Sequence, residues 1–383
     1  MDEAAAPPGS RGVPALRRFL VVRTGALGDI VHGIPVAAAL KRAYPHVRVE
    51  WVVEERYAGL LRCVPWVDAC IPVWFRDGVR HLADPCARAR WRHTLRRLRR
   101  SGYDVTLDLQ GLIRSGLISG WTRSQLRFGF PLSHVREWPN VLFSNVRPRR
   151  MPQAGHVIDR NLALLHPLGI RCAERVFSYR VPGDVEERVG RYVRSTAPGE
   201  DRVRVAVHPV AGWPTKEWPL ERYAEIVRRI CRAGGTQVFV LWGPGERERV
   251  AGCFDLAGAA VQPLPQMGPM ELLAFLRWCD LYVGGDSGPM QMASSLGKPV
   301  VALFGPTDPG RNGPFLGRHR VVWGRAPCAP CYRRRCSRTD CMDGVDVERV
   351  WRAVAAFLEE IRAAGNGRSP EHVRVSQDAD RVG

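Results

Sequence analysis

Short apolar runs alternate with amphipathic stretches along the first half of the chain. A continuous apolar run of four to eight residues is typical of a buried strand, and an apolar position every three or four residues indicates a helix. On this basis the predicted strands are 19–23, 47–53, 105–109 and 126–130. The predicted helices are 30–44, 87–100 and 155–168.

The same alternation restarts near residue 203. The predicted strands of this second half are 203–208, 237–242, 280–284 and 300–304. The predicted helices are 220–233, 246–256, 269–278 and 289–296. Strands that are apolar throughout and separated by helices are typical of parallel sheets covered on both faces. We therefore expect an α/β protein with two Rossmann-like domains, whose ligands bind in a central cleft outside the carboxyl ends of the strands.

Pro-Gly punctuation in the stretch 179–201 marks the junction between the two halves. We place an N-terminal domain at 16–182 and a C-terminal domain at 183–346. A final helix at 347–363 carries apolar residues on one face and glutamates on the other, so it is expected to pack on a core. The ends, 1–15 and 364–383, are rich in Pro, Gly, Ser and charge and are expected to be disordered tails.

The composition is that of a globular protein. Of the 383 residues, 45% are hydrophobic and 25% are charged. No apolar run approaches the ~18 residues of a membrane-spanning helix, and the acidic N-terminus does not have the form of a secretory signal. The 11 cysteines are an odd number and are mostly scattered through predicted core elements, which favours a reducing compartment. The expected location is the cytoplasm.

The formal net charge of +19 indicates attraction to a polyanion. The candidates are nucleic acid, an anionic membrane surface and a phosphorylated substrate. The helix at 87–100 concentrates seven arginines with no acid: Arg88, Arg90, Arg92, Arg96, Arg97, Arg99 and Arg100. This helix is either a cationic surface for an anionic bilayer or a solvated basic face. A basic nucleic-acid-binding protein is the weaker alternative, because no RNP-like, helix-turn-helix or C2H2 pattern is present.

The turn after the first strand contains Gly25, Gly28 and Asp29. The two glycines permit a tight turn and a close approach to backbone N–H groups, but their spacing is not that of a dinucleotide site. Asp29 falls where a helix N-cap is expected, and capping is one interpretation of it. The other is a general base at the mouth of the cleft, kept ionised by the helix dipole.

A second turn of this kind contains Asp286, Ser287 and Gly288, ahead of a helix opened by Pro289. Its free N–H groups would suit a diphosphate, although an ordinary capped helix has the same local pattern. Lys216 is one of only three lysines in a chain that otherwise uses arginine, which suits a compact ammonium contacting phosphate.

Five segments in register carry a family resemblance: GALGDIVHGIPVAAAL, DLQGLIRSG, WPTKEWP, WGPGERE and GGDSGPMQMASSLGKPVVALFGPTDP. With these segments the chain, from residue 19 to about 360, resembles the ADP-heptose:lipopolysaccharide heptosyltransferases of glycosyltransferase family 9. The resemblance implies the GT-B fold. It also implies inverting transfer of heptose from ADP-heptose, or a related nucleotide sugar, to a hydroxyl of the lipid A–inner core, with no obligatory metal or cofactor.

The resemblance also assigns residues on the donor side and a catalytic base. Asp29 matches the base, and Lys216 matches the lysine that contacts the donor's phosphates. Glu246 matches an acidic residue that binds a ribose or sugar hydroxyl, and Met267 matches a position lining the adenine pocket. The turn 286–288 matches the one that holds the donor.

Arg114 and Arg136 fall in segments that face the acceptor in the family, and either guanidinium suits a carboxylate. Gln291 occupies a donor position where the family usually has histidine, so its amide can donate a hydrogen bond but carries no charge. This departure leaves open another nucleotide sugar or another acceptor, such as an O-chain or a capsule. The resemblance places the enzyme at the cytoplasmic face of the inner membrane as a peripheral protein, with no nucleic-acid partner.

Four cysteines near the end of the second half form a compact set: Cys328, Cys331, Cys336 and Cys341. Four thiolates can hold zinc or an iron–sulfur cluster. The second pair lacks CxxC spacing, so a structural thiol cluster or a local disulfide is the favoured interpretation.

Overall fold

The chain folds into two compact units, Met1–Tyr179 and Arg180–Gly383. The computed structural model describes residues 16–75, 84–172, 174–196, 202–254 and 260–365. The predicted tail 1–15 and all of the predicted tail 364–383 except residues 364 and 365 lie outside the described residues.

The first unit is built on a five-stranded parallel sheet in the order β3-β2-β1-β4-β5. Its strands are β1 (Arg18–Val22), β2 (Arg48–Glu54), β3 (Ala69–Val73), β4 (Val105–Asp108) and β5 (Leu126–Phe128). The central strand β1 pairs with β2 on one side and β4 on the other, so the strand order reverses beside its carboxyl end. Its residues 19–22 are fully buried, as expected of a strand covered on both faces.

Among the described residues, six helices accompany this sheet. They are α1 (Leu27–Val31), α2 (Ile34–Ala43), α3 (Ala58–Arg62), α4 (Pro85–Arg100), α5 (Ile113–Trp121) and α6 (Val157–Ala163), with 3₁₀ turns at 55–57, 132–134, 138–143 and 166–168. The single helix predicted at 30–44 is wrong, because α1 and α2 are separate helices with a break at His32 and Gly33. A Cβ at Gly33 would lie 2.7 Å from the Trp51 indole, so the glycine lets this ring pack against the break.

The second unit contains a six-stranded parallel sheet in the order β11-β10-β9-β6-β7-β8. Its strands are β6 (Val203–His208), β7 (Thr236–Val240), β8 (Val261–Pro263), β9 (Leu281–Gly285), β10 (Val300–Phe304) and β11 (His319–Trp323). Counted from β6, this is the Rossmann order, with the reversal between β6 and β9.

The helices of the second unit cover both faces of its sheet. They are α7 (Gly183–Thr196), α8 (Leu220–Arg232), α9 (Arg247–Ala251), α10 (Pro269–Trp278), α11 (Gly288–Ser295), α12 (Pro309–Asn312), α13 (Asp340–Asp343) and α14 (Val347–Ala363), with a 3₁₀ turn at Pro214–Lys216. The stretch whose Pro-Gly pairs mark a junction contains α7, which begins just after the unit boundary. The apolar face of α14 is buried and packs against α8.

Two parallel α/β sheets with Rossmann-like strand order confirm the predicted fold class. None of the helices in the described part of the chain combines the length and apolarity that crossing a bilayer requires.

A buried carboxylate organises the segment that follows β4. Asp108 is 2% exposed and accepts hydrogen bonds from the backbone N–H groups of Gln110 and Gly111, the Ser115 hydroxyl and the Asn140 side-chain amide. Burial raises the pKa of this carboxyl in spite of these donors. Asp108 thereby ties the end of β4 to α5 and to the turn at 138–143.

We expect Asp108→Ala to lower the free energy of unfolding by about 3 kcal/mol, because four buried donors lose their acceptor. Urea unfolding measures the change. The control, Asp184→Ala, removes a carboxylate that is 77% exposed and changes stability by less than about 0.5 kcal/mol. Equal effects of the two variants would contradict the assigned role.

Candidate active site

Asp29 lies at the reversal point of the first sheet, in the short helix α1 that follows β1. It is the third residue of α1 and not the N-cap, a position that Ala26 occupies. One carboxylate oxygen accepts a hydrogen bond from the Ala26 N–H at 3.3 Å, and the other forms an ion pair with Arg23 at 2.6 Å. The side chain is 25% exposed, so the carboxylate is anchored and still accessible to a hydroxyl.

The charges around Asp29 favour its ionised form. Burial acts to raise the pKa of the Asp29 carboxyl. The charges of Arg23, Arg136 and His32 outweigh this effect and hold that pKa well below its usual range. Asp29 is therefore a carboxylate at any pH at which the protein is expected to work.

Of the two arginines predicted on the acceptor side, the structure brings one to Asp29. Arg136 is close enough for its charge to stabilise the carboxylate. Arg114 is exposed and stacks over Phe75, with 5.1 Å between the guanidinium carbon and the ring centroid.

Arg23 is a site residue that sequence reasoning missed. Its side chain is 6% exposed, and its guanidinium bonds both Asp29 and the backbone carbonyl of Leu109 at the end of β4. A buried arginine requires partners of this kind. The available signal was its place directly after the four buried apolar residues 19–22.

Lys216 and Asp286 form the centre of the site in the second unit. Lys216 ends the 3₁₀ turn after β6, and Asp286 directly follows β9, so both lie at the reversal of this sheet. Their ion pair is 2.6 Å long, with side chains 13% and 10% exposed. The Lys216 ammonium also lies 4.1 Å from the centroid of the Trp213 ring. The two residues that the sequence separates by seventy positions are thus in direct contact.

The start of α11 lies beside this pair. Ser287 is the N-cap residue, but within the described residues its side chain makes no capping hydrogen bond. Its hydroxyl instead lies 3.3 Å from His208 Nδ1 and 3.3 Å from the Tyr282 hydroxyl. The ordinary side-chain cap is therefore absent at Ser287, and the first N–H groups of α11 keep their capacity to bind an anion.

The other residues predicted on the donor side are Glu246, Met267 and Gln291. Glu246 precedes α9 and accepts a hydrogen bond from the Gly243 N–H at 2.6 Å. Met267 is half-buried just before α10. Gln291 is 1% exposed and donates to the Asn312 carbonyl at 2.6 Å, so its amide is bonded to the last residue of α12.

The cysteine-bearing segment packs beside Trp213. Thr215 donates a hydrogen bond to the Arg333 carbonyl at 2.7 Å, and Arg334 stacks over the Trp213 ring at 4.9 Å. Cys328, Cys331, Cys336 and Cys341 are free thiols. Among the described residues, no three His, Cys, Asp or Glu side chains are grouped so that they could hold a metal ion.

The two doubly wound parallel sheets each have polar groups at the strand-order reversal. Solved heptosyltransferase structures of E. coli share this architecture, which is that of the GT-B class. The family model described as Glycosyltransferase family 9 (heptosyltransferase) matches residues 91–341. The chain belongs to this family, so the predicted membership is confirmed and the protein is a glycosyltransferase.

Relatives with known names agree. Lipopolysaccharide heptosyltransferase 1 of Pseudomonas aeruginosa is 32% identical over 332 residues, which cover 84% of this chain and 87% of that protein. The solved structure of a family 9 glycosyl transferase from Veillonella parvula has a TM-score of 0.77 at 19% identity, covering 91% of this chain and 100% of that one. E. coli heptosyltransferase WaaC with ADP has a TM-score of 0.69 at 24% identity, covering 90% and 99%.

The buried histidine beside α11 generates a prediction about acid stability. Burial lowers the pKa of His208 to about 4. In the unfolded chain the value is about 6.5, so between these values the unfolded state binds a proton that the folded state refuses. As the pH falls from about 6.5 towards 4, the free energy of unfolding falls by up to about 1.4 kcal/mol per pH unit from this group.

His208→Asn is expected to flatten this pH dependence, as measured by urea unfolding across the same interval. Asp29 does not contribute there, because its depressed pKa confines its effect to lower pH. The control is His319→Asn on the exposed part of β11, which keeps the original slope. An unchanged slope in His208→Asn would contradict the assignment.

Proposed function

We propose that this protein is a lipopolysaccharide heptosyltransferase that transfers heptose from ADP-heptose to a hydroxyl of the inner core, with inversion and without an obligatory metal. The names of its relatives support the sugar and the acceptor. The observation that carries the mechanism is Asp29, an ionised and partly exposed carboxylate anchored by Arg23 at the reversal of the first sheet. Parallel sheets bind their ligands at this point.

The second unit supplies the groups that suit a nucleoside diphosphate. Lys216 presents a compact ammonium whose position Asp286 and Trp213 fix. The start of α11 adds backbone N–H groups and the positive end of a helix dipole. Such groups stabilise the negative charge that develops on a diphosphate as it leaves. The proposed donor side also includes Glu246, Met267 and Gln291. Glu246 would bind a ribose or sugar hydroxyl, and Met267 would line the adenine pocket.

The proposed reaction is a single displacement. The acceptor hydroxyl oxygen forms a bond to the anomeric carbon on the face opposite the diphosphate, the bond from that carbon to the diphosphate oxygen breaks, and ADP leaves with the electron pair. The hydroxyl proton passes to Asp29 and then to solvent. A carboxylate of low basicity suffices, because the hydroxyl becomes strongly acidic as its oxygen bonds to carbon.

The acceptor side of the proposal rests on Arg136 and Arg114. Arg136 lies close enough to Asp29 for its charge to lower the pKa of that carboxyl. An acceptor whose anionic group binds Arg136 would therefore have its neighbouring hydroxyl near the base. The arginines of α4 suit the phosphates of lipid A at an anionic membrane. We accordingly place the enzyme as a peripheral protein at the cytoplasmic face of the inner membrane.

Asp29→Asn tests the base. We expect kcat to fall by about 10²–10⁴-fold, because the amide cannot accept the proton. Transfer to a lipid A–inner core acceptor is measured by mass spectrometry, and binding of ADP-heptose is measured by thermal shift. Binding should persist, and the exposed control Asp184→Asn should keep full activity. Full activity in Asp29→Asn would refute the assignment, and a shift with other nucleotide sugars alone would reassign the donor.

Lys216→Met tests the diphosphate contact. We expect the Kd for ADP to rise about 10- to 100-fold, because a charge-assisted contact is lost. The matched control is Lys41→Met, which removes a lysine from a Lys–Asp pair of 2.8 Å in the first unit. Calorimetric titration with ADP compares the two variants, and an equal loss in both would contradict the assigned role.

A further inference from the structure

Large apolar side chains are exposed in one region of the first unit. The described part of the chain has seven exposed large apolar side chains, and six of them lie on α5 or between residues 132 and 142. We call these six the apolar patch: Ile113, Leu117, Trp121, Leu132, Trp138 and Leu142. The seventh, Val321, lies on β11 of the second unit.

The helix α5 is amphipathic in the reverse sense. Ile113, Leu117 and Trp121 are four residues apart, so they form one stripe, with exposures of 39%, 55% and 44%. The buried face is largely small and polar, formed by Ser115, Gly116, Ile118 and Ser119. The largest apolar side chains of the helix are therefore exposed to solvent. A helix that packs only on the core of its own domain has its apolar side chains on the buried face.

The turn at 138–143, which carries Trp138 and Leu142, packs against α5. Asn140 donates hydrogen bonds to Asp108 and to the Leu112 carbonyl. A Cβ at Gly116 would lie 2.5 Å from the Phe143 ring, so the glycine allows the turn at 138–143 to pack directly on the helix. Trp138 and Leu142 are thus 67% and 73% exposed on a fixed backbone.

A strongly basic surface adjoins the apolar patch. The Trp121 indole donates to the Leu95 carbonyl of α4 at 2.9 Å, and Arg99 of α4 stacks over the same ring at 5.2 Å. Five of the seven arginines of α4 are exposed: Arg88, Arg90, Arg92, Arg96 and Arg100. Glu137, an acid beside the exposed start of α5, accepts a hydrogen bond from the Ile113 N–H.

We propose that the apolar patch and the exposed arginines of α4 form a membrane-docking surface, with the apolar side chains entering the headgroup–acyl boundary and the arginines binding anionic lipid phosphates. Tryptophan and leucine beside a cationic helix are the groups that bind this boundary. A second copy is disfavoured as the occupant, since a two-fold contact would bring the same arginine-rich helices together.

The proposal deepens the proposed function and rests on it for the identity of the lipid-linked acceptor. Arg136 lies between Leu132 and Trp138 in the sequence. It is also close enough to Asp29 for its charge to lower the pKa of that carboxyl. A membrane held by the apolar patch would therefore present its headgroups beside the residue that is proposed to orient the acceptor.

Cosedimentation of the full chain with phosphatidylcholine vesicles, with and without phosphatidylglycerol, tests the surface. We expect the unaltered protein to bind the anionic vesicles, more weakly as salt rises. Combined Leu117→Glu and Leu142→Glu should lower the partition coefficient at least tenfold, since two apolar contacts become charged. Arg92→Glu with Arg96→Glu should lower only the part that depends on phosphatidylglycerol. The control Val321→Glu adds a charge at the exposed apolar position outside the patch and should bind normally.

Measurements of folding, transfer activity and oligomeric state decide the outcome. Circular dichroism and thermal unfolding confirm that each variant is folded, and transfer to a deacylated, water-soluble acceptor should be unchanged in the leucine variant. Equal vesicle binding by the unaltered protein and the leucine variant overturns the proposal. So does a dimer in light scattering that the leucine variant converts to monomers without any change in vesicle binding. Patch-dependent binding by a protein that transfers no heptose would support the surface while refuting the proposed function.

Discussion

The ion pair between Arg23 and Asp29 is the interaction on which the first unit's site depends. Arg23 is buried, and its guanidinium bridges the α1 carboxylate and the Leu109 carbonyl after β4. It therefore joins the two strands between which the sheet order reverses. The same contact orients the carboxylate and, together with the charges of Arg136 and His32, keeps it ionised.

The second unit reaches a comparable arrangement with different side chains. Its reversal point holds an ammonium between a carboxylate and an indole, next to a helix start whose serine turns to a buried histidine. The first unit thus presents a fixed negative charge and the second presents positive groups. This division suits a reaction in which one substrate loses a proton and the other loses a diphosphate.

Much of the fold could be predicted from the sequence, because strands such as β10 are apolar throughout and helices such as α8 bury residues that are three or four positions apart. The missed elements have physical reasons. The short strand β3 contains a proline and a cysteine, and β11 is largely exposed, so neither has a buried-strand pattern. The helix α5 was missed because it has two glycines and an exposed apolar stripe.

The site was predictable where a residue type stands out locally, as with Asp29, Lys216 and Asp286. The partners were not, because Arg23 and His208 acquire their roles from contacts between distant segments. Gln291 stays a prediction for the donor side, and its amide also bonds the Asn312 carbonyl at the end of α12, a contact that its local pattern does not indicate. The local pattern identifies a side chain that faces a helix start, but the packing around it decides what it bonds.

The Lys216–Asp286 pair has a consequence for turnover. Because the Lys216 ammonium already has a carboxylate partner, a diphosphate that binds there as proposed would replace Asp286 and would gain less free energy than it would from an unpaired cation. After transfer of the sugar, Asp286 would form its ion pair with the ammonium again as the diphosphate leaves. Such a site would bind the product ADP less tightly and would therefore favour its release.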